Sequence, residues 1–222
     1  MKAGELKIMA LELFGHPFSS YTWKALIPLY ENDTPFTFRS LAPDHPDNDA
    51  AFRAHWPIGK FPVLVDGDLV LPEASIIVEY VAPGLIPAGR EEALEVRLLD
   101  RVFDNHVHTP TQAIVAEHLP FITEAPDPAR IERARGALDA VYAWLDARME
   151  GREWAVGQSF TLADCAAAPA LFYADWAHPN EGRFEHLAAY RARLLARPSV
   201  ARCVEEARPY RQLFPLGAPD RD

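Results

Sequence analysis

Phe61-Pro62-Val63-Leu64-Val65-Asp66-Gly67-Asp68-Leu69-Val70-Leu71-Pro72-Glu73 is the stretch on which the fold turns. Phe61–Val65 and Leu69–Leu71 are apolar runs, and Asp66-Gly67 between such runs is the strongest short-range hairpin signal. A helix from about Glu73 to Val81 is predicted to follow. Towards the N-terminus, Leu11-Glu12-Leu13-Phe14 reads as a short strand halted by Gly15-His16-Pro17. From Ser19 to Glu31, Trp23, Leu26, Ile27 and Tyr30 recur at helical spacing. Pro28 inside that run predicts a kink or an early end. Phe36–Arg39 reads as a second strand, and residues 42–59 as a Pro-, Asp- and Asn-rich loop with one short helix around Asp49–His55. The predicted order is β-α-β followed by β-β-α, the first part having the length of a βαβ unit.

Towards the C-terminus, Ala82-Pro83-Gly84 to Pro87-Ala88-Gly89 carries no periodicity, and beyond it strand signals vanish. Leu99, Val102, Phe103, His106 and Val107 follow helical spacing, as do Ile131, Ala134, Leu138, Val141 and Leu145. Pro110 is expected to bend or end the first of these helices. Phe160-Thr161-Leu162-Ala163-Asp164 has the form of a helix start, with Thr161 as N-cap, Asp164 answering it, and Phe160 and Cys165 as a hydrophobic staple. The Ala-rich run from Ala163 to Ala170 suits a central, closely packed helix. Two further helices are predicted at about Arg183–Ala196 and Ser199–Arg208, separated by Arg197-Pro198. The predicted division is an α/β domain over 9–82, a linker over 83–90 and an all-helical domain over 91–222.

The chain of 222 residues is 49% hydrophobic and 24% charged, an ordinary composition for a globular protein with its own core. Its net charge of −10, with no Lys/Arg block, argues against a nucleic-acid surface. No apolar run approaches the roughly 18 residues of a membrane span. Met1 to Met9 lacks the apolar segment of a signal peptide and reads as a short lead-in, with Met9 a second possible start. Cys165 and Cys203 form no CxxC pair and sit in apolar helical surroundings, so buried thiols in a reducing cytoplasm are expected. His106 and His108, two apart on a helix, face different ways and argue against a metal pair.

These motifs together resemble the cytosolic glutathione S-transferases along nearly the whole chain. Gly15-His16-Pro17-Phe18-Ser19 is similar to that family's first strand-to-helix turn, and Phe61-Pro62-Val63-Leu64 with Asp66-Gly67 to its V-P-x-L-x-D-G hairpin. Glu73 through Tyr80 resembles its E-S-x-A-I-x-x-Y helix, and Phe160–Asp164 its helical-domain capping motif. The resemblance implies a thioredoxin-like N-terminal domain plus an all-α C-terminal domain, a homodimer, and glutathione as co-substrate with no metal. It implies conjugation of the glutathione thiolate to a small electrophilic apolar substrate. A glutathione-dependent isomerase or peroxidase uses the same thiolate, and a non-catalytic binding protein uses the same fold.

The resemblance also implies site residues. A cis Phe61–Pro62 peptide would turn the Phe61 backbone to pair with glutathione as an added strand does; a trans edge proline is the plainer reading. Ser19, where the first helix should begin, is the candidate thiol activator, although serine is also a preferred N-cap. Ser20, Tyr21 and Thr22 offer competing hydroxyls. Leu13 and Phe14 stand where tyrosine-type transferases carry their hydroxyl, which favours a serine-type site. No cysteine is nearby for the thiol-exchange branch. Glu73 resembles the acid that binds the γ-glutamyl ammonium, and Ala74 replaces the serine that normally follows it. Ser75 should point elsewhere. Lys60 suits the glycyl carboxylate. Asp100 and Asp104 are candidates to reach the partner's ligand. Tyr21, Asn105, His106, Thr109 and Gln112 are expected to line the electrophile pocket between the domains.

Overall fold

The computed structural model describes residues 11–180 and 182–220; the expected lead-in and alternative start at Met9 lie outside them. Strand β1 (Leu11–Gly15) leads to helix α1 (Ser20–Glu31), strand β2 (Phe36–Ser40) and helix α2 (Pro46–His55). The hairpin β3 (Val63–Asp66) and β4 (Leu69–Pro72) is followed by helix α3 (Ala74–Val81). The sheet order is β2-β1-β3-β4. β1 runs parallel to β2 and antiparallel to β3, with Leu13 opposite both Phe38 and Leu64. Gly67, at φ 61°, makes the tight hairpin turn that a side chain would strain.

Two-residue periodicity decides which side of the sheet each side chain feeds. Leu13 and Leu64 pack with Trp23, Leu26, Ile77 and Val78 in the main core, so α1 and α3 cover that face. Phe14, Val63 and Val65 point the other way, onto Phe52 of α2. That second helix begins three residues earlier than expected, because Pro46 pre-sets the helical φ at its first position. Pro28 does not end α1 where it stands: the helix runs on to Glu31, and only one turn lies beyond the missing donor.

The helical part comprises α4 (Arg90–Val102), a π-helical turn (Phe103–His108), α5 (Thr109–Ala116), α6 (Pro128–Met149), α7 (Leu162–Ala177), α8 (Glu185–Leu195) and α9 (Pro198–Ala207). A 3₁₀ turn follows over Arg208–Leu213. At Pro110 the structure departs from a simple bend or stop. The ladder is already widened into the π turn just upstream, and helix continues to Ala116. A proline ring lacks the N–H and crowds the carbonyl one turn back, which a wider turn relieves.

Helix α7 is buried on nearly every side, as its small side chains allow. Asp164 anchors its start: it accepts from Thr161 N (2.8 Å), Thr161 Oγ1 (2.8 Å), Ala155 N (2.9 Å) and Tyr190 Oη (2.6 Å). Burial raises its pKa, against those donors, which lower it. Phe160 and Cys165 both belong to the main core, which also takes in Leu13, Trp23 and Ile77. One apolar core therefore runs under both the sheet and the helices.

Candidate active site

Between the sheet-bearing part and the helices lies a cleft of about 720 Å³. Ser19, Ser20 and Tyr21 from the start of α1, Lys60-Phe61-Pro62 before β3, and Glu73-Ala74 at the start of α3 form one wall. Arg101, Asp104, Asn105, His108, Gln112 and Val115 face them from the helices.

The β1–α1 turn is pinned from several sides. Trp23 Nε1 donates to Pro17 O (2.6 Å), and Tyr173 Oη on α7 donates to Phe18 O (2.8 Å). A Cβ at Gly15 would lie 2.7 Å from the Thr22 side chain, so only glycine lets the turn close this tightly. Ser19 is the N-cap of α1, its Oγ accepting from Thr22 N at 3.3 Å. Because the oxygen accepts there, its O–H remains a donor. The first amides of α1 add the positive end of the helix dipole.

The Phe61–Pro62 peptide is cis. Phe61 is partly exposed to the cleft and stands edge-on to Phe52 at 6.3 Å. Glu73 is the bend between β4 and α3, at φ 73° and ψ 115°, a backbone state that a non-glycine residue adopts only at a cost of roughly 1–3 kcal/mol. Beyond it Ala74 is buried against the cleft, and the helix's first amides lack intrahelical partners. Ser75 does turn away, into a buried charge cluster: its Oγ accepts from Lys24 Nζ (2.9 Å) and donates to Asp100 (3.0 Å).

That cluster went unread in the sequence. Lys24 is 1% exposed and pairs with Asp100 (2.5 Å) and Asp104 (2.8 Å); Arg101 also holds both acids, at 2.6 and 2.8 Å. Asp100 and Asp104, the candidates to reach a partner's ligand, are both held by Lys24 and Arg101 of their own chain. Burial raises the pKa of Asp104 while Lys24 lowers it. The one available signal was a lysine among apolar residues of α1.

Of the expected electrophile-pocket residues, Tyr21, Asn105 and Gln112 line the cleft. His106 and Thr109 do not. They line a separate apolar groove against α6, with Val102, Pro110 and Trp144. The π turn shifts the helical register, so His108 rather than His106 faces α1. His108 was missed as a cleft residue. It is 5% exposed, its Nε2 lies 2.7 Å from Ser20 Oγ, and the Tyr21 ring meets it edge-on at 4.8 Å. Burial, with Lys24 nearby, lowers its pKa from 6.5 to about 4, and burial with Asp104 pushes the Tyr21 phenol up to about 12. Among the described residues no group of three or more His, Cys, Asp or Glu is arranged to hold a metal.

A thioredoxin-like sheet joined to a helical bundle, with a cis-proline cleft between them, is the two-part architecture that the motifs of the sequence imply. Residues 13–83 match the family described as "Glutathione S-transferase, N-terminal domain", and residues 110–198 match "Glutathione S-transferase, C-terminal domain". The chain is 32% identical to glutathione S-transferase 3 of Zea mays over 87% of its own length and 93% of that protein's. It is 26% identical to a probable maleylacetoacetate isomerase of Vibrio cholerae, over 91% and 99% of the two chains. A glutathione S-transferase structure from Methylobacillus flagellatus, solved with GSH bound, superposes with a TM-score of 0.77 at 26% identity, covering 87% and 98%. The chain belongs to the glutathione S-transferase family.

Proposed function

We propose that the chain is a glutathione transferase that joins the glutathione sulfur to a small electrophilic, largely apolar substrate. One observation carries the reading: the Ser19 hydroxyl, the cis Phe61–Pro62 peptide and the Glu73-Ala74 helix start line a single cleft. Phe61 pairs with the glutathione backbone, Glu73 holds the γ-glutamyl ammonium, the α3 amides hold its carboxylate, and Lys60 meets the glycyl carboxylate. The thiol then lies at the N-terminus of α1. A free thiol of this kind has a pKa of about 8.5, so little thiolate is present at neutral pH. The Ser19 O–H and the helix dipole stabilise the anion and raise that fraction. The electrophile sits beyond the sulfur, between Tyr21, Asn105 and Gln112 and the apolar side chains of Val115, Leu119 and Phe214. Holding both reactants in place supplies most of the remaining acceleration.

Ser19→Ala is expected to lower turnover roughly tenfold or more, the worth of about one hydrogen bond to an anion, with glutathione affinity nearly intact. Unchanged turnover sinks Ser19 as activator; a wild-type protein that neither binds nor conjugates glutathione sinks the transferase reading. Glutathione-dependent isomerisation is the second reading, favoured by the likeness to the Vibrio protein. There the thiolate adds to a conjugated double bond, the bond rotates, and the thiolate leaves. A product free of glutathione distinguishes it.

Ile76 and Tyr80 on α3 and Leu94 and Leu98 on α4 are exposed apolar residues of a kind buried on self-association, which supports a homodimer; sedimentation at the monomer mass would reject it. Both thiols are free and buried, which suits a reducing cytoplasm. Among the described residues no helix is long and apolar enough to cross a membrane.

A further inference from the structure

Two consecutive hydroxyls, Ser19 and Ser20, open α1 on the cleft, and the second has a partner from the other side of the molecule. Ser20 Oγ and His108 Nε2 are 2.7 Å apart, across 88 positions of sequence. Both residues are buried, at 8% and 5% exposure, and both line the cleft. The other imidazole nitrogen, Nδ1, is buried without a hydrogen-bond partner.

That orphan atom identifies the tautomer. A neutral imidazole carries one N–H and one bare nitrogen. With the hydrogen on Nδ1, a donor would be buried facing nothing, the costlier kind of unmet group; with it on Nε2, only a lone pair is left over. The hydrogen therefore sits on Nε2 and is donated to Ser20 Oγ. A serine oxygen that accepts this bond keeps its own O–H to give. The edge-on Tyr21 ring fixes the imidazole plane. Charged and titratable groups around this corner are Lys24 and Tyr21 on α1, Arg101 and Asp104 on α4 and the π turn, and Glu73 before α3. Lys24 and burial together keep His108 neutral at physiological pH.

We infer that the Ser20 hydroxyl is a second donor to the glutathione sulfur and that His108 positions it, an inference that rests on the transferase reading. Ser19 and Ser20 act as a pair: each oxygen is occupied, by Thr22 N–H and by His108 N–H, so each hydrogen is turned outward to the anion. The thiol proton leaves to solvent, and two hydroxyl donors remain on the thiolate. Ser20 touches the reacting atom, whereas His108 acts through it.

The experiment is a pH titration of the thiolate absorbance of glutathione bound to the wild type, Ser20→Ala, His108→Leu, His108→Gln and the Ser20→Ala/His108→Leu double variant. Ser20→Ala and His108→Leu should each raise the bound-thiol pKa by about one unit, with the Michaelis constant for glutathione little changed. The double variant should shift no further than Ser20→Ala alone, because the two act as one unit. His108→Gln, which keeps an amide N–H for Ser20, should recover most of the shift. The inference is overturned if Ser20→Ala leaves the midpoint at its wild-type value, or if removing His108 moves it in the Ser20→Ala background as well. If His108→Leu does not fold, Ser20→Ala and His108→Gln decide the matter. A wild type that binds glutathione without ionising it overturns the transferase reading itself, a result distinct from a silent Ser20→Ala.

Discussion

Ala74 puts a methyl group at the one helix start where the proposed ligand carries a carboxylate, and the neighbouring hydroxyl of Ser75 is already committed to Lys24 and Asp100. Ala74→Ser should therefore tighten glutathione binding by about tenfold, close to the lower end of the roughly 1.5–3 kcal/mol of a hydrogen bond to a charged group. Calorimetric titration checks this, and an unchanged dissociation constant would place the carboxylate elsewhere. His108 gives a pH prediction. Its pKa falls from 6.5 in the unfolded chain to about 4 in the fold, so between those values the unfolded state binds more protons. Stability contributed by the neutral form is fully present above pH 6.5 and is lost as pH falls towards 4, by on the order of 3 kcal/mol. Melting temperatures at pH 7 and pH 4.5 should differ less for His108→Gln than for the wild type. Equal differences would mean that the imidazole titrates freely.

At the level of elements, α6 contains an avoidable weakness. Gly136 lies inside this 22-residue helix, exposed, with nothing within 4 Å of where a Cβ would stand. Gly136→Ala should stabilise the protein by roughly 1 kcal/mol, because glycine loses the most backbone entropy in a helix. Thermal denaturation measures it, and a lower melting temperature would mean the space is not free. The same elements show what could be read from the chain. The hairpin, α1, α3 and the Thr161 helix start were legible because periodicity, Asp66-Gly67 and a capping pair are local signals. The π turn was not. Whether Pro110 ends a helix or only widens it depends on what packs around it, and that choice moved His106 and Thr109 out of the cleft and brought His108 in. Lys24 was equally hidden, since its partners lie some 50 to 80 positions away.

For the whole molecule, the continuous core and the Lys24 cluster make the sheet and the helices one cooperative body. Lys24 joins α1 to α3 through Ser75 and to α4 and the π turn through Asp100 and Asp104. Lys24→Met leaves two buried acids with Arg101 as their remaining cation. It should cost about 3 kcal/mol, towards the lower end for a broken buried pair, and lower the melting temperature by roughly 6–12 °C. Tryptophan fluorescence and far-ultraviolet dichroism should still report one transition. Separate transitions for the sheet and the helices would refute the shared core.

Cys165 and Cys203, the chain's two cysteines, are 0% exposed, and burial raises both their pKa values. A protein that takes electrophiles into its cleft, as the proposed reaction requires, risks being inactivated by them. In that reaction the electrophile meets no thiolate of the host: the reactive sulfur would be brought in by the co-substrate and carried away in the product. Prolonged turnover should leave the polypeptide free of cysteine adducts, and the catalyst outlives the chemistry it performs.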